Sequence, residues 1–355
     1  MIKKVAIGNF RGFDEFECGC LAPITVIGGR NNSGKSSFLE ALSLTLNVNG
    51  GDALLSMSRN RGIDMLKIND LCSLFNRGDT SRKVLVTSDF DDRINREFSM
   101  EYKSPEVIFS GAEPSTPMPI GSLDDMTKSS PHILAHVLER RLDDSQRNLY
   151  SEDFFVVEQN DNGLVATQIS DAPSSRGLYV SPYLRDYAIN RLMDLYKAGE
   201  AESINEALRA IDDRIESVLP IDKSLYAKLS GVKPPIALKS LGDGAVKVAM
   251  SLAILLSVPE GGVCAFDEIE NGLHYSAMRL LWGALVKVAC RRNIQLIAST
   301  HSLEMLHAMK DVSEENQGAD FVYLKMACKK GGKIVFSEYG YNAFKTHLQE
   351  DFELR

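Results

Sequence analysis

An α/β fold, with a mostly parallel sheet and helices on its faces, is what this 355-residue sequence predicts. Three observations carry the prediction. The chain opens as strand, strand, glycine-rich loop and helix. After Ile236, short apolar strands alternate with amphipathic helices, the pattern of a sheet covered on both faces. Between these regions the texture changes to paired strands and helices, read as a mixed α+β insertion. The division predicted is 1–105, 106–235 and 236–355.

The elements follow in chain order. Ile2–Phe10 mixes Lys with Val5, Ile7 and Phe10, and Ile24-Thr-Val-Ile27 is a short apolar run suited to a buried strand. Gly28-Gly29 breaks it. From Ser36 to Leu46 the apolar residues Phe38, Leu39, Leu42 and Leu46 recur at close to helical spacing. Val84–Phe90 and Glu97–Tyr102 alternate around Asp91-Asp92-Arg93, which predicts a β-hairpin. Residues 111–131 carry four prolines among Ser and Gly and read as a loop or linker. A second hairpin is predicted over Phe154–Gln168 around Asn160-Asp-Asn-Gly163. Residues 183–219 read as two helices, the second Ser203–Leu219 ending at Pro220, and Lys233-Pro-Pro235 marks a boundary. The last part predicts helix Gly244–Ser257, strand Val263–Phe266, helix Tyr275–Cys290, strand Ile294–Ser299 and helix Leu303–Met309. Strands near Phe321–Met326 and Lys333–Glu338 follow. About 225 residues separate the glycine loop from the strand at Val263, room for a compact insertion but not for long coiled-coil arms.

Composition narrows the function. With 44% hydrophobic and 25% charged residues the chain is ordinary globular protein. A net charge of −8, from 40 basic and 48 acidic residues, argues against a protein that coats nucleic acid, though a local basic patch is compatible with it. The six cysteines, at 18, 20, 72, 264, 290 and 328, form no C-x-x-C pair and read as reduced thiols rather than a zinc site. The start lacks the apolar stretch of a signal peptide, and the run around Val248–Val258 is too short to span a bilayer. A cytoplasmic protein with no membrane contact is expected.

Four motifs carry chemistry. The first is Gly29-Arg-Asn31-Asn32-Ser33-Gly34-Lys35-Ser36, a complete G-x-x-x-x-G-K-[ST] between strand and helix, followed by Ser37. Glycines let backbone N–H groups turn inward around phosphates, and the helix start adds its positive end. Lys35 should reach the β- and γ-phosphates of ATP, and the Ser36 hydroxyl should bind Mg²⁺. The second is Val263-Cys-Ala-Phe266-Asp267-Glu268, an apolar strand ending in two acids. Two acids after a strand are most often a solvated loop. Beside a phosphate loop they read as a Mg²⁺ ligand, Asp267, and a residue that orients or deprotonates the attacking water, Glu268. The third is His301, after Ile294–Ser299, the strand one helix beyond the acidic one. Parallel neighbours would set its tip beside Glu268, where His301 can touch the γ-phosphate or the water. The fourth is Ser240-Leu-Gly242-Asp243-Gly244, opening a helix. It is either a helix cap by Asp243 between glycines or a second phosphate-binding helix start. In one chain that second start has no phosphate; in a head-to-tail dimer it would face the partner's ATP.

Other residues suggest sites less strongly. His132 and His136 have metal-ligand spacing without an accompanying acid, and read as two histidines on one helix face at the surface. Arg140, Arg141 and Arg147, interleaved with Glu139, Asp143 and Asp144, read as a solvated helix face.

Together Asn9-Phe10-Arg11-Gly12-Phe13, GRNNSGKSS, SLGDGAVK, FDEIENGLHY and STHS resemble the ABC-type ATPase heads of the SMC/RecF-like class. Within that class they look most like the bacterial AAA-family ATPases of the overcoming-lysogenization-defect type. The resemblance covers about the first 50 and last 120 residues. It implies a P-loop NTPase of ABC-head type with ATP and Mg²⁺ as ligands. Arg11 would lie near the nucleotide, and Ser240, Gly242 and Gly244 would complete the partner's site. Glu270–His274 would be a loop at the dimer interface and His301 the switch histidine. Two features depart from the pattern. The signature reads LGDG rather than LSGG, and no glutamine precedes Gln146, so Asn69, Asp70 or Asn76 would take the Q-loop place. Relatives often carry a C-terminal TOPRIM nuclease; the 54 residues after His301 are too few for one. The function expected is therefore the ATPase component of an anti-phage defence system, homodimeric or higher, controlling a separate nuclease or toxin. A RecF-like repair ATPase that binds nucleic acid and a slow ATP-sensing scaffold are the alternatives.

Overall fold

The computed structural model describes residues 1–46, 54, 57, 67–104, 131–142, 148–160, 163–168, 175–181, 185–221, 224–315 and 320–349. The chain begins with β1 (Ile2–Phe10), β2 (Phe13–Cys18), β3 (Ile24–Gly28) and helix α1 (Lys35–Leu46). An antiparallel run follows, with β4 (Val84–Phe90), β5 (Ile94–Lys103), β6 (His132–Leu142), β7 (Asn148–Asn160) and β8 (Gly163–Gln168). Next come β9 (Gly177–Val180), α2 (Arg185–Ala198), α3 (Glu202–Arg209), and the small strands β10 (Ile215–Ile221), β11 (Ser224–Leu229) and β12 (Ile236–Ala237). The last part is α4 (Asp243–Leu256), β13 (Val263–Phe266), α5 (Tyr275–Arg291), β14 (Gln295–Ser299), α6 (Leu303–Glu315), β15 (Phe321–Cys328), β16 (Ile334–Gly340) and α7 (Tyr341–Gln349).

Two large sheets enclose α1. The first has seven strands in the order β2-β1-β4-β5-β6-β7-β8. The second has six, in the order β16-β15-β3-β14-β13-β9, and only β16 runs against its neighbour. Residues 106–235 thus contribute β6–β8 to the first sheet and β9 to the second. Every residue of β3, β13 and β14 is buried, which is why these strands read as unbroken apolar runs. Alternation still sorts their side chains. Val263, Ala265 and Ile297 face α1 and the first sheet, whereas Cys264, Phe266, Leu296 and Ala298 face the helices α4, α5 and α6. Helix α1 buries Phe38, Leu39, Ala41, Leu42, Leu44 and Leu46 at once, the composition of a helix held between two layers.

A polar contact fixes the end of α1. Arg96 on β5 is fully buried and pairs with Glu139 on β6 at 2.7 Å. Its Nη1 donates to the Thr45 carbonyl at 3.2 Å, one of the carbonyls left open at the helix C-terminus. Removing one partner of a buried pair of this kind costs about 3–5 kcal/mol. Arg96 therefore locks the helix that follows the glycine loop onto the first sheet.

The strands at 84–103 and the hairpin of β7 and β8 agree with the sequence reading, as do the helices and strands it predicts after Ile236, to which the structure adds α7. Three expectations are corrected. His132 and His136 lie on a strand, not a helix; Ile133, Ala135 and Val137 are buried at period two. An i,i+4 pair shares a face in either geometry. His136 is half-buried rather than on the surface, stacked on Phe154 with ring centroids 4.1 Å apart. Arg140 and Arg141 are on the same strand, and Arg140 pairs with Glu97 of β5 at 3.2 Å. The predicted helix Ser203–Leu219 stops at Arg209, and residues 215–221 form β10 with Pro220 inside it. That is tolerated because β10 is the edge of the sheet β10-β11-β12. The predicted loop 111–131 lies outside the described residues apart from Pro131, as do Asp143, Asp144 and Arg147. Among the described residues no helix is long and apolar enough to cross a membrane, and no three His, Cys, Asp or Glu side chains cluster as a metal site.

Candidate nucleotide site

The site forms where β3, β14 and β13 end side by side. Their parallel register sets Ile27 against Ser299 and Ala298 against Phe266. The residues that follow each strand therefore emerge together at the carboxyl edge of the sheet, where α/β proteins bind ligands.

The loop after β3 turns at Gly29 (φ +138°), Asn32 (φ 62°) and Gly34 (φ +97°). Arg30, Asn31 and Asn32 are exposed, Ser36 and Ser37 are half-buried, and Ser33 and Lys35 are buried. The Lys35 ammonium donates to the carbonyls of Gly29 at 2.8 Å and Arg30 at 3.0 Å, so its head lies inside the curve of its own loop. Burial pushes it below the ordinary lysine value, and the carboxylates of Asp267, Glu268 and Glu270 oppose that shift. A buried cation inside the curve of such a loop is a counter-charge for an anion, whereas the three acids suit a cation bound beside it. The Ser33 hydroxyl is buried with no hydrogen-bond partner among the described residues, a polar atom left for a ligand or water to satisfy.

Asp267 and Glu268 stand at the end of β13. Asp267 is buried; its Oδ1 accepts from the Ser299 hydroxyl at 2.5 Å and its Oδ2 from the Tyr179 hydroxyl at 3.3 Å. Ser299 in turn accepts from the Glu268 N–H at 2.9 Å. Glu268 has φ +45°, a left-handed conformation that costs a residue with a Cβ roughly 1–3 kcal/mol. The bond from Ser299 holds that turn and leaves the Glu268 carboxylate half-exposed. His301, after β14, is 45% exposed; its Nδ1 is 4.0 Å from Glu268 Oε1 and 3.0 Å from Glu270 Oε1.

The remaining predicted residues divide. Arg11 (φ +48°) turns its guanidinium to Glu40 of α1, at 2.8 Å between two nearly buried side chains. It therefore ties the Asn9–Phe13 turn to the glycine-loop helix. Of the three stand-ins for a Q-loop residue, Asn76 donates to the Arg11 carbonyl at 2.6 Å, while Asp70 accepts from the Lys67 N–H within its own turn. Ser240 and Gly242 ahead of α4, and Asp243 at its first position, are exposed, with Gly242 at φ +112°; a Cβ on Gly244 would sit 3.1 Å from Ala277 of α5. In the segment Glu270–His274, Asn271, Gly272 and His274 are exposed but Glu270 is turned into the protein. Sequence reasoning missed Tyr179, Ser299 and Glu40 as parts of the site. Ser299 had a signal, a hydroxyl ahead of Thr300-His301 on the strand beside the acids. Tyr179 has none, because its four-residue strand β9 is too short to show a period.

Residues 24–306 match the family described as "AAA domain, putative AbiEii toxin, Type IV TA system". An ATP/GTP phosphatase of Helicobacter pylori is 23% identical over 352 residues, spanning 93% of this chain and 92% of that protein. Among solved structures, an SMC head bound to the C-winged helix domain of ScpA aligns with a TM-score of 0.50. It has 13% identity and covers 96% of this chain and 98% of its own. The SMC head from Pyrococcus furiosus, bound to the C-terminal domain of ScpA, aligns at 0.47 with 11% identity over 98% of each chain. The first of these structures gives the fold, a P-loop NTPase of ABC-head type. The family match spans most of the chain, and the chain belongs to that AAA-domain family as an ATPase.

Proposed function

We propose that two copies of this chain close head to tail over two ATP molecules and hydrolyse them at composite sites. The observation that carries the reading is the meeting of Lys35, Asp267, Glu268 and His301 at one sheet edge, while the Ser240–Gly244 loop stands exposed at the start of α4. In this reading the N–H groups of Gly29, Asn31, Asn32, Ser33, Gly34, Ser36 and Ser37 surround the phosphates. Lys35 leaves its loop carbonyls for the β- and γ-phosphate oxygens. Glu268 accepts the proton of the attacking water, and His301 holds the γ-phosphate oxygens or that water. The partner's Ser240, Gly242, Asp243 and Gly244 close the far side, their helix start directed at the same phosphates. Arg11 acts through Glu40, setting the glycine-loop helix.

Asp267 and Ser36 suit a magnesium ion. They offer a buried carboxylate, steadied by two hydroxyls with lone pairs to spare, and a hydroxyl; both are the hard oxygen donors that Mg²⁺ takes alongside substrate phosphates. When bound, the ion supplies charge neutralisation on the phosphate oxygens.

A mixing experiment tests the composite site. Lys35→Ala and Ser240→Glu, the second an exposed position where a carboxylate would repel the partner's phosphates, should each be inactive. Mixed in equal amounts they should regain about one quarter of wild-type turnover, since half the dimers are mixed and each has one intact site. Ser240→Glu hydrolysing ATP at the wild-type rate would sink the proposal.

In the cell, the function proposed is control of a separate nuclease or toxin in defence against phage. The family's description, which names a toxin–antitoxin system, and the sequence resemblance stated above support it. Cells carrying the gene with its genomic neighbours should plate phage less efficiently, and Lys35→Ala should remove the effect. Equal plating with and without the wild-type locus across a phage panel would count against this role.

A further inference from the structure

Glu270 lies three residues beyond Asp267, on the turn that leaves β13, and its side chain is 6% exposed. One of its oxygens serves His301 twice. Oε1 accepts from the His301 backbone N–H at 2.8 Å and lies 3.0 Å from the ring nitrogen Nδ1. The other carboxylate near this ring, that of Glu268, is 4.0 Å from the same nitrogen and beyond hydrogen-bond reach. A buried acid held against both the main chain and the ring of a half-exposed histidine fixes the ring's direction. It also fixes which nitrogen carries the proton.

We infer that Glu270 is the positioning residue of His301. It accepts a hydrogen bond from Nδ1–H and thereby leaves Nε2 as the lone-pair acceptor presented to the attacking water. The inference rests on the assignment of His301 to the nucleotide site proposed above. The physical reason is the tautomer. In a neutral imidazole only one nitrogen bears hydrogen, and an acceptor at Nδ1 makes that nitrogen the donor. Carboxylates orient metal-bound and catalytic histidines in the same way, and losing such a partner typically costs 10–100-fold in activity. The arrangement separates the two acids. Glu270 is spent on the ring, and Glu268, with its carboxylate beyond hydrogen-bond reach of His301, stays open for water. The second oxygen of Glu270 is buried with no hydrogen-bond partner among the described residues. Its anchoring therefore depends on Oε1, the atom that holds His301.

Two substitutions of similar size separate positioning from packing. Glu270→Gln keeps an acceptor oxygen, and Glu270→Leu keeps only the bulk. We expect Glu270→Leu to lower kcat about 10–100-fold with KM for ATP changed less than about threefold, and Glu270→Gln to recover most of that loss. Nitrogen-15 spectra of histidine-labelled protein should show the His301 ring protonated at Nδ1 in wild type and in Glu270→Gln. In Glu270→Leu the ring should be protonated at Nε2. A Glu270→Leu protein with wild-type kcat, or a His301 ring whose protonated nitrogen is the same in all three proteins, overturns the inference. His301→Ala distinguishes a failure of the underlying reading. If that variant turns over ATP normally, His301 is outside the reaction, while the spectra still report whether Glu270 sets its ring.

Discussion

Replacing Glu268 with glutamine is expected to leave ATP binding within a few-fold of wild type and to lower kcat by about 10²–10⁴, the range a positioned general base contributes. The substitution is isosteric, and nothing in the geometry gives the charge a structural task. The backbone of Glu268 is held by Ser299 through its N–H, which glutamine retains. Its side chain is 38% exposed, and its one ion-pair contact among the described residues is the 4.0 Å approach to His301. Lys35 feels this carboxylate among three, so removing one charge leaves the loop lysine in place beside Asp267 and Glu270. Steady-state phosphate release measured beside nucleotide binding by calorimetry separates the two effects. Unaltered turnover would remove Glu268 from the role of base; lost binding would make it part of the phosphate cradle instead.

The site was legible to the extent that its parts are contiguous. Gly29–Ser36 carries its own context, a buried strand before it and a helix after it, so loop and lysine are recognisable without knowing any neighbour. Asp267, Glu268 and His301 were legible one step less directly. Their meeting depends on β13 and β14 being parallel neighbours, which the single intervening helix implied and the pairing bears out. The partners that fix those residues were not legible. Ser299 bridges Asp267 and Glu268 across separations of 32 and 31 residues, and Tyr179 reaches Asp267 across 88 from a four-residue strand. Contacts of that span leave no periodic trace in either segment. Where local pattern and tertiary context competed, context won. Residues 215–221 carry a proline that ends helices and interrupts most strands, yet an edge position makes a strand of them.

Gly29 shows how closely the loop's chemistry depends on the sheet beneath it, and Gly29→Ala is expected to cost about two orders of magnitude in ATP affinity. β3 pairs with β15 up to Gly28 opposite Lys325, so the first residue of the loop passes over the next peptide of β15. A Cβ on Gly29 would sit 2.2 Å from the Met326 carbonyl oxygen and 2.9 Å from the Ser33 hydroxyl. The first is backbone inside a sheet and cannot rotate away. The φ of +138° adds strain of roughly 1–3 kcal/mol for any residue with a side chain. The loop must therefore leave its path. The carbonyl of Gly29, which now holds the Lys35 ammonium, moves with it, and the ring of N–H groups around the phosphates opens. Because β3 itself ends at Gly28, the sheet should persist. The variant should keep its circular dichroism spectrum while needing about a hundredfold more ATP for the same rise in melting temperature. Gly19→Ala is the control, since a Cβ there meets nothing within 4 Å and no left-handed φ opposes it. If Gly29→Ala binds ATP as wild type does, the loop is looser than this contact with Met326 requires. The inward turn that begins at Gly29 would then not be what shapes the phosphate site.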